Sequence, residues 1–579
     1  MIVVSTNNLT PLQRRPSMAI VPDFVLHVVT AHLTPLLDWF SDRLYAEFLK
    51  RIPDHLLVRL HARLNLRPIE QVCAAFHHTS GPGAPVTHPV ARLVRALLVK
   101  ALFGWSLRDW EWHLRFNLIV KWFVGYRIFD TGPDHVTLER FEQWVARYQP
   151  RALFDAVLRQ IDRDFPQERQ QPQIGDTFAM RADAAKESLI RLIRHTCDRM
   201  LATLEATAAD RHQHLNALLD HVALFGAADE VIEPRLDDAG RQARLQTTVI
   251  AALQCARLMR LELDTRPRLA ESERAAIQLR LAHLDKILAD NVRLTCDAAG
   301  QVVRVTELPK EKKGAYRLGS ATDPDSTYRV HGEKKTDFGY NVNVAVTEHF
   351  IREIRADTGA QPDPVAIPGV LTAQIEHHDL CPDKFIYDAA AGDGKTHALV
   401  AQATQGRTQL VAHLRDYAQS RDRPALARGV RGFGPDDFRL SDDGRTLTCP
   451  NGQTSTLAYR SGSGDGRSFR FFDCGECPLA ERCRDPKSDP ERMRQVFISD
   501  YRDYLNAARA YAQTDEFIAD LKRRPLVERI IACLTRYNGA RRARRRGLLN
   551  ADFQAKLSAM AFNLKQWMKL LHHAQVVRC

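Results

Sequence analysis

Two hydrophobic periods alternate along the chain. From about Val25 to Arg159 apolar residues recur three and four apart, most plainly in HPVARLVRALLVKALFGWSLRDWEWHLRFNLIVKWFVGY, a spacing that predicts amphipathic helices. Gly and Pro interrupt the pattern at HTSGPGAPVTHP and DTGPDH. After the second break Val136-Thr137-Leu138-Glu139 opens a helix ending near Tyr148, with Thr137 as its expected N-cap. A Gln-rich linker then leads into a short extended stretch, IGDTFAMRAD. From Ala184 to about Ser320 the helical period returns, as in IRLIRHTCDRMLATLEA and AAIQLRLAHLDKIL.

At Asp337 the period changes to that of strands. FGYNVNVAVTE and FIREIRADT read as two strands, followed by a helix around Pro368 to His378, the strand KFIYDA, a helix near Lys395 to Ala403 and the strand TQLVAHL. This order implies a mixed α/β sheet. Its first strand is the remote IGDTFAMRAD segment, so the 184–320 block is a large helical insertion into the sheet. Beyond Leu414 the chain is polar, rich in Gly and Arg and carries clustered cysteines, and its end is helical through FQAKLSAMAFNLKQWMKLL. The expected division is 1–165 helical, 174–183 with 337–415 as the α/β core, 184–320 inserted, 416–500 cysteine-containing, and 501–579 completing the core.

A chain of 579 residues exceeds one ordinary core, so several domains are expected. Lys and Arg outnumber Asp and Glu by 82 to 70, a net charge of +12, which favours a polyanionic partner. No run reaches the roughly 18 apolar residues of a membrane span, and the N-terminus lacks a signal-peptide pattern, so a cytoplasmic protein is expected. Cys73, Cys197, Cys255, Cys296, Cys381 and Cys533 are scattered singly and read as small buried residues. Trp105, Arg108, Trp110, Trp112, Arg115, Lys121 and Trp122 interleave aromatic and basic character, which suits either an aromatic helical core or a DNA-binding face.

Charge clusters more tightly near the C-terminus. Ten of the thirty residues from Leu521 to Asn550 are Lys or Arg, and Glu528 is the only acid among them. A lone carboxylate there is either an i, i+4 partner of Arg524 or a metal ligand beside a phosphate-binding face. Asp176 in the first strand and Asp388 at the end of KFIYDA would complete a trio, which phosphodiester chemistry uses to hold two divalent ions on hard oxygens. Asp183, Asp383 and Asp393 stand nearby, and spacing leaves them open. Cys449, Cys474, Cys477 and Cys483 supply four thiolates suited to a structural Zn²⁺, with unliganded thiols as the alternative. Asp323 and Asp325 read as a self-capping turn, and His377-His378 and His572-His573 as solvated pairs on helix edges.

Several separated blocks carry a resemblance. HPVARLVRALLVKALFGWSLRDWEWHLRFNLIVKWFVGYRIFDTGPDHVTLERFEQWV, GDTFAMRADA, DFGYNVNVAVTEHFIREIRADTG, FIYDAAAGDGKTH and RRPLVERIIACLTRYNGARRARRRGLLNADFQAKLSAMAFNLKQWMKLL stand in the order found in the DDE transposases of bacterial insertion sequences. The chain resembles the subgroup with a helical insertion and a cysteine cluster. Members often place Tyr seven before the final Glu, Arg four before and Lys seven after; here those positions hold Leu521, Arg524 and Thr535, with Arg536 beside the last. The strand-end motif, commonly Asp-Ala-Gly-Tyr, is Asp-Ala-Ala-Ala-Gly here.

The resemblance implies an RNase H-like core in which Asp176, Asp388 and Glu528 are catalytic and hold Mg²⁺ or Mn²⁺. It also implies binding of terminal inverted repeats and target DNA, cleavage and strand transfer, and at least a dimer on DNA in the nucleoid. Arg524, Arg529, Arg536, Arg541, Arg542, Arg544, Arg545 and Arg546 would contact phosphates. An inactive transposase-derived DNA-binding protein and a metal-dependent nuclease are the alternative expectations.

Overall fold

The computed structural model describes residues 23–77, 88–265, 270–331, 335–414, 432–456, 458–462, 464–472, 474–483 and 493–576. At its centre lies a six-stranded mixed sheet. Gln173–Arg181 is the middle strand, buried along nearly its whole length, as befits a strand covered on both faces. Lys335–Val346 runs antiparallel beside it, with Asp176 opposite Val344. Ile351–Thr358 pairs antiparallel with the other edge of Lys335–Val346, and Thr327–His331 pairs with the beginning of that same edge. On the opposite side Lys384–Ile386 lies parallel to the middle strand, and Gln409–Val411 parallel to Lys384–Ile386.

Gly339 sits where the long strand faces Arg181 on one side and Thr327 on the other. Its φ is 152°, and a Cβ there would lie 2.2 Å from the Met180 carbonyl oxygen, so a side chain would force the central strands apart.

One face of the sheet and the N-terminal helices share a single hydrophobic core. Trp110, Phe123, Phe141 and Phe154 from the helices pack in the same cluster as Phe178, Val342 and Ile354 from the sheet and Leu564 and Trp567 from the C-terminal helix Leu548–Val576. A buried ionic network reinforces the seam: Arg151 binds Glu353 at 2.8 Å, and Arg352 grips Asp162 with two bonds of 2.6 and 2.9 Å. On the other face the helices Asp363–His378 and Gly394–Thr404 cover Ala345, Phe385, Tyr387 and Leu410. Among the described residues no helix is long and apolar enough to cross a membrane.

The inserted block has its own core, built on the helices Leu189–Thr207, Asp238–Thr265 and Glu271–Asn291. Its chain ends meet: Glu187 N–H donates to the Gly319 carbonyl at 2.9 Å, and its carboxylate accepts from Ser320 Oγ and Ala321 N. The block is not wholly helical. It ends in a hairpin, Val292–Cys296 with Val302–Glu307, whose side chains are mostly exposed and so lack an alternating apolar pattern.

Other local expectations also shift. The N-cap of the helix His135–Tyr148 is Asp134, whose carboxylate accepts from Thr137 N at 2.7 Å, placing Thr137 inside the first turn. The helix expected near Pro368 begins at Asp363. His378 is not solvated: its ring is buried and Nε2 lies 3.0 Å from Asp155. Asp325 accepts from Leu548 N, and Asp323 from Tyr340 Oη and Gly547 N, so these acids cap the distant C-terminal helix. Of the single cysteines, Cys73, Cys197 and Cys255 are buried, whereas Cys296 is exposed. The aromatic and basic N-terminal set divides, with Trp110 in the core, Trp112 exposed, and Lys121 donating inward to the carbonyls of Arg115, Ile128 and Asp130.

Candidate active site

Three distant segments of chain deliver the three nominated acids to one open cleft of about 630 Å³. Asp176 lies on the buried middle strand, where its side chain is largely buried and accepts from Thr177 N at 2.7 Å. Asp388 follows the parallel strand Lys384–Ile386 and caps a short turn by accepting from Ala390 N at 2.9 Å. Glu528 lies in the first turn of the helix Pro525–Tyr537 and is mostly exposed. That helix buries Val527, Ile530 and Leu534 against the core, which turns Glu528, Thr535 and Arg536, together with Ile531 and Ala532, to the cleft.

Arg524 stands among the acids. Its Nη2 lies 3.6 Å from Asp176 and 3.9 Å from Asp388, and its Nη1 is 3.6 Å from Glu528. The i, i+4 pair and the acidic trio, alternatives from sequence, coexist. Burial raises the Asp176 pKa above its ordinary value; the Thr177 N–H and Arg524 oppose the shift, while Asp388 and Asp363 add to it. The Tyr387 hydroxyl is buried without a hydrogen-bond partner, and its pKa is raised by burial first and then by Asp363, Asp176 and Asp388.

Asp363 is a fourth carboxylate of the cleft that the sequence reading missed. It accepts from Asn341 Nδ2 at 2.7 Å and faces Arg329, which also donates to Thr177 Oγ1 at 2.6 Å. Its only signal was an acid in the first turn of a helix, a common electrostatic preference. The rivals lie elsewhere: Asp393 caps the helix Gly394–Thr404, Asp383 gives its backbone carbonyl to Gln409 N, and Asp183 lines a different cavity with Arg542.

The nominated arginines separate into groups. Arg524, Arg536 and Arg541 line the acidic cleft, and Arg529 lines a neighbouring hollow with Lys522 and Arg523. Arg541 is placed by an added strand bridge, because Arg181 N donates to its carbonyl and Ala543 N returns to Arg181 O. Arg544 donates to the carbonyls of Gly104 and Trp105, Arg545 faces Glu139 and Glu142, and Arg546 donates to the Asp183 carbonyl. Arg542 is largely exposed beside Asp183.

Cys449, Cys474, Cys477 and Cys483 line one small pocket with Phe433, Phe438 and Phe471. Burial raises the Cys483 pKa, Arg494 opposes it, and the other three thiols add to it. Among the described residues no set of three or more His, Cys, Asp or Glu has the spacing of a formed metal centre.

Residues 448–568 match the family model of the transposase DDE domain, and residues 46–144 match that of a transposase domain, DUF772. The first match contains Glu528 and the cysteine cluster; the second covers most of the N-terminal helices. Both are consistent with a DDE transposase of an insertion sequence. Searches among curated proteins and among solved structures returned no match.

Proposed function

We propose that this protein is a DNA transposase that binds the terminal inverted repeats of its own element and catalyses metal-dependent cleavage and strand transfer. The observation that carries the reading is the convergence of Asp176, Asp388 and Glu528 from remote segments into one arginine-rimmed cleft. The strand order supports an RNase H-like core: a central strand with an antiparallel hairpin on one side and two parallel strands on the other.

The donor set fits divalent cations. Hard carboxylate oxygens line one cleft, and burial raises the Asp176 pKa, a shift that a bound cation would oppose. Mg²⁺ or Mn²⁺, when bound, supplies activation of water or of a 3′-hydroxyl and stabilisation of the departing oxygen. Asp176, on a buried strand, Asp388, held by its turn, and Glu528, on the helix, would hold the ions and with them the scissile phosphate. Arg536 and Arg541 line the same cleft and would neutralise DNA phosphates there, which positions DNA without reading its sequence. No covalent enzyme intermediate is required. Bringing two element ends together calls for at least a dimer. The clustered cysteines suit a structural Zn²⁺ that would stiffen the segment before the Glu528 helix.

The test combines purified protein, Mg²⁺ or Mn²⁺ and a labelled DNA end carrying the repeat that flanks the gene. Joined products support a transposase, cutting without joining supports a nuclease, and binding without cutting supports an inactive derivative. Asp176→Asn, Asp388→Asn and Glu528→Gln are each expected to lower cleavage about a thousandfold or more, the scale of losing a principal electrostatic group, while leaving DNA binding in place. Cleavage at wild-type rate in any of them would remove that acid from the site.

A further inference from the structure

We propose that Arg524 is the cation that occupies the acidic cleft before divalent ions enter, and that its withdrawal onto a DNA phosphate couples DNA binding to metal loading. The inference rests on the metal-dependent reading of Asp176, Asp388 and Glu528, and adds a competitor that this reading lacks. One guanidinium lies 3.6 to 3.9 Å from all three acids. These separations exceed the roughly 3.2 Å limit of a good N–H to O bond, so the group is shared by charge and not locked by directional bonds to any one acid. Its Nε is buried with no hydrogen-bond partner.

Charge favours exchange. Of the three acids that Arg524 faces, it offsets one negative charge when all are ionised; Asp363 is matched by Arg329, and Arg536 and Arg541 on the same cleft are drawn to DNA phosphate, so a demand for cations remains at the three acids themselves. A divalent ion needs carboxylate oxygens at about 2.1 Å and cannot share the space with the guanidinium. Arg524 is placed to yield it: it is the residue flanking the first turn of the Pro525–Tyr537 helix, and its side chain is about one-third exposed. A DNA phosphate at the cleft mouth, drawn also by Arg536 and Arg541, offers the guanidinium an anion with bidentate geometry. Withdrawal then makes DNA and metal binding mutually reinforcing, and such coupling is reciprocal.

Mn²⁺ binding to the full-length protein, followed by calorimetry and by the electron paramagnetic resonance signal of free Mn²⁺, tests this without reference to turnover. Without DNA, Arg524→Gln is expected to bind Mn²⁺ about tenfold or more tightly than wild type, a conservative reading of the loss of a unit charge at about 4 Å. Adding a short mixed-sequence duplex should tighten Mn²⁺ binding to wild type and leave Arg524→Gln nearly unchanged. Arg524→Lys, which keeps a cation, should stay within a few-fold of wild type and shows whether a loss in the Gln variant is one of fold. Equal or weaker Mn²⁺ binding by a folded Arg524→Gln protein, or an equal response to DNA in both, would overturn the competition. If Mn²⁺ binding is insensitive to Asp388→Asn in both backgrounds, the metal-site reading itself falls, a result distinct from failure of the Arg524 role.

Discussion

Asp176 shows at one residue how crowding carboxylates in a half-buried cleft strains the fold that contains them. Burial raises its pKa, with Asp388 and Asp363 adding to the shift against Thr177 N–H and Arg524. A native pKa above the unfolded value of about 3.9 means the folded chain binds that proton more tightly, so this group's contribution to stability falls as pH rises through the interval between the two. Above that interval, and without divalent ions, the charged form of Asp176 disfavours the fold. Asp176→Asn keeps an oxygen for the Thr177 N–H and removes the charge. It is expected to raise the melting temperature at pH 7 in chelator, with the gain shrinking as the pH is lowered towards 4. An unchanged or lower melting temperature at pH 7 would contradict the electrostatic account. The same substitution should abolish cleavage, an example of activity held at the expense of stability.

At the scale of elements, the Arg541–Arg546 segment looks uniform in sequence and is divided by the fold. Arg544 is tied to two carbonyls of the turn at Gly104 and Trp105, and Arg545 to Glu139 and Glu142, whereas Arg541 opens on the acidic cleft. Arg544→Ala and Arg545→Ala are therefore expected to destabilise the protein by about 1 to 2 kcal/mol each, the usual range for lost hydrogen bonds to partners left behind. Arg536→Ala and Arg541→Ala should leave the melting temperature near wild type and weaken DNA binding, each lowering the salt dependence by about one phosphate's worth. Thermal melts and binding titrations at several salt concentrations separate the two classes. What was legible in sequence follows the same division. The strand bearing Asp176, the strand Lys384–Ile386 that leads to Asp388 and the helix bearing Glu528 were readable because apolar period and resemblance are both local properties. Asp363, the buried His378 and the capping of Leu548 by Asp325 were not, because each depends on a partner supplied by chain at least twenty residues away: Asn341, Asp155 and the C-terminal helix. The exposed hairpin after Asn291 escaped for a different reason, since strands with few buried residues carry no period to read.

Two of the described bodies differ in how far the rest of the molecule depends on them. The N-terminal helices, the central sheet and the C-terminal helix share one core and are tied by the buried Arg151–Glu353 and Arg352–Asp162 pairs, so none of them is expected to fold well without the others. The insertion differs, because its apolar residues form a separate cluster and its entry and exit are held together by Glu187 N–H to Gly319 O at 2.9 Å. A chain that leaves and returns at one point can be shortened there without stretching the sheet. Joining Ser188 to Gly319 through two or three glycines, with Leu189 to Leu318 removed, is expected to give a protein that unfolds cooperatively and keeps Asp388-dependent Mn²⁺ binding. Loss of that binding together with loss of cooperative unfolding would show that the sheet leans on the insertion for stability. Retained folding and metal binding with weakened DNA binding would instead place the insertion's contribution on the DNA, or on a second copy of the chain.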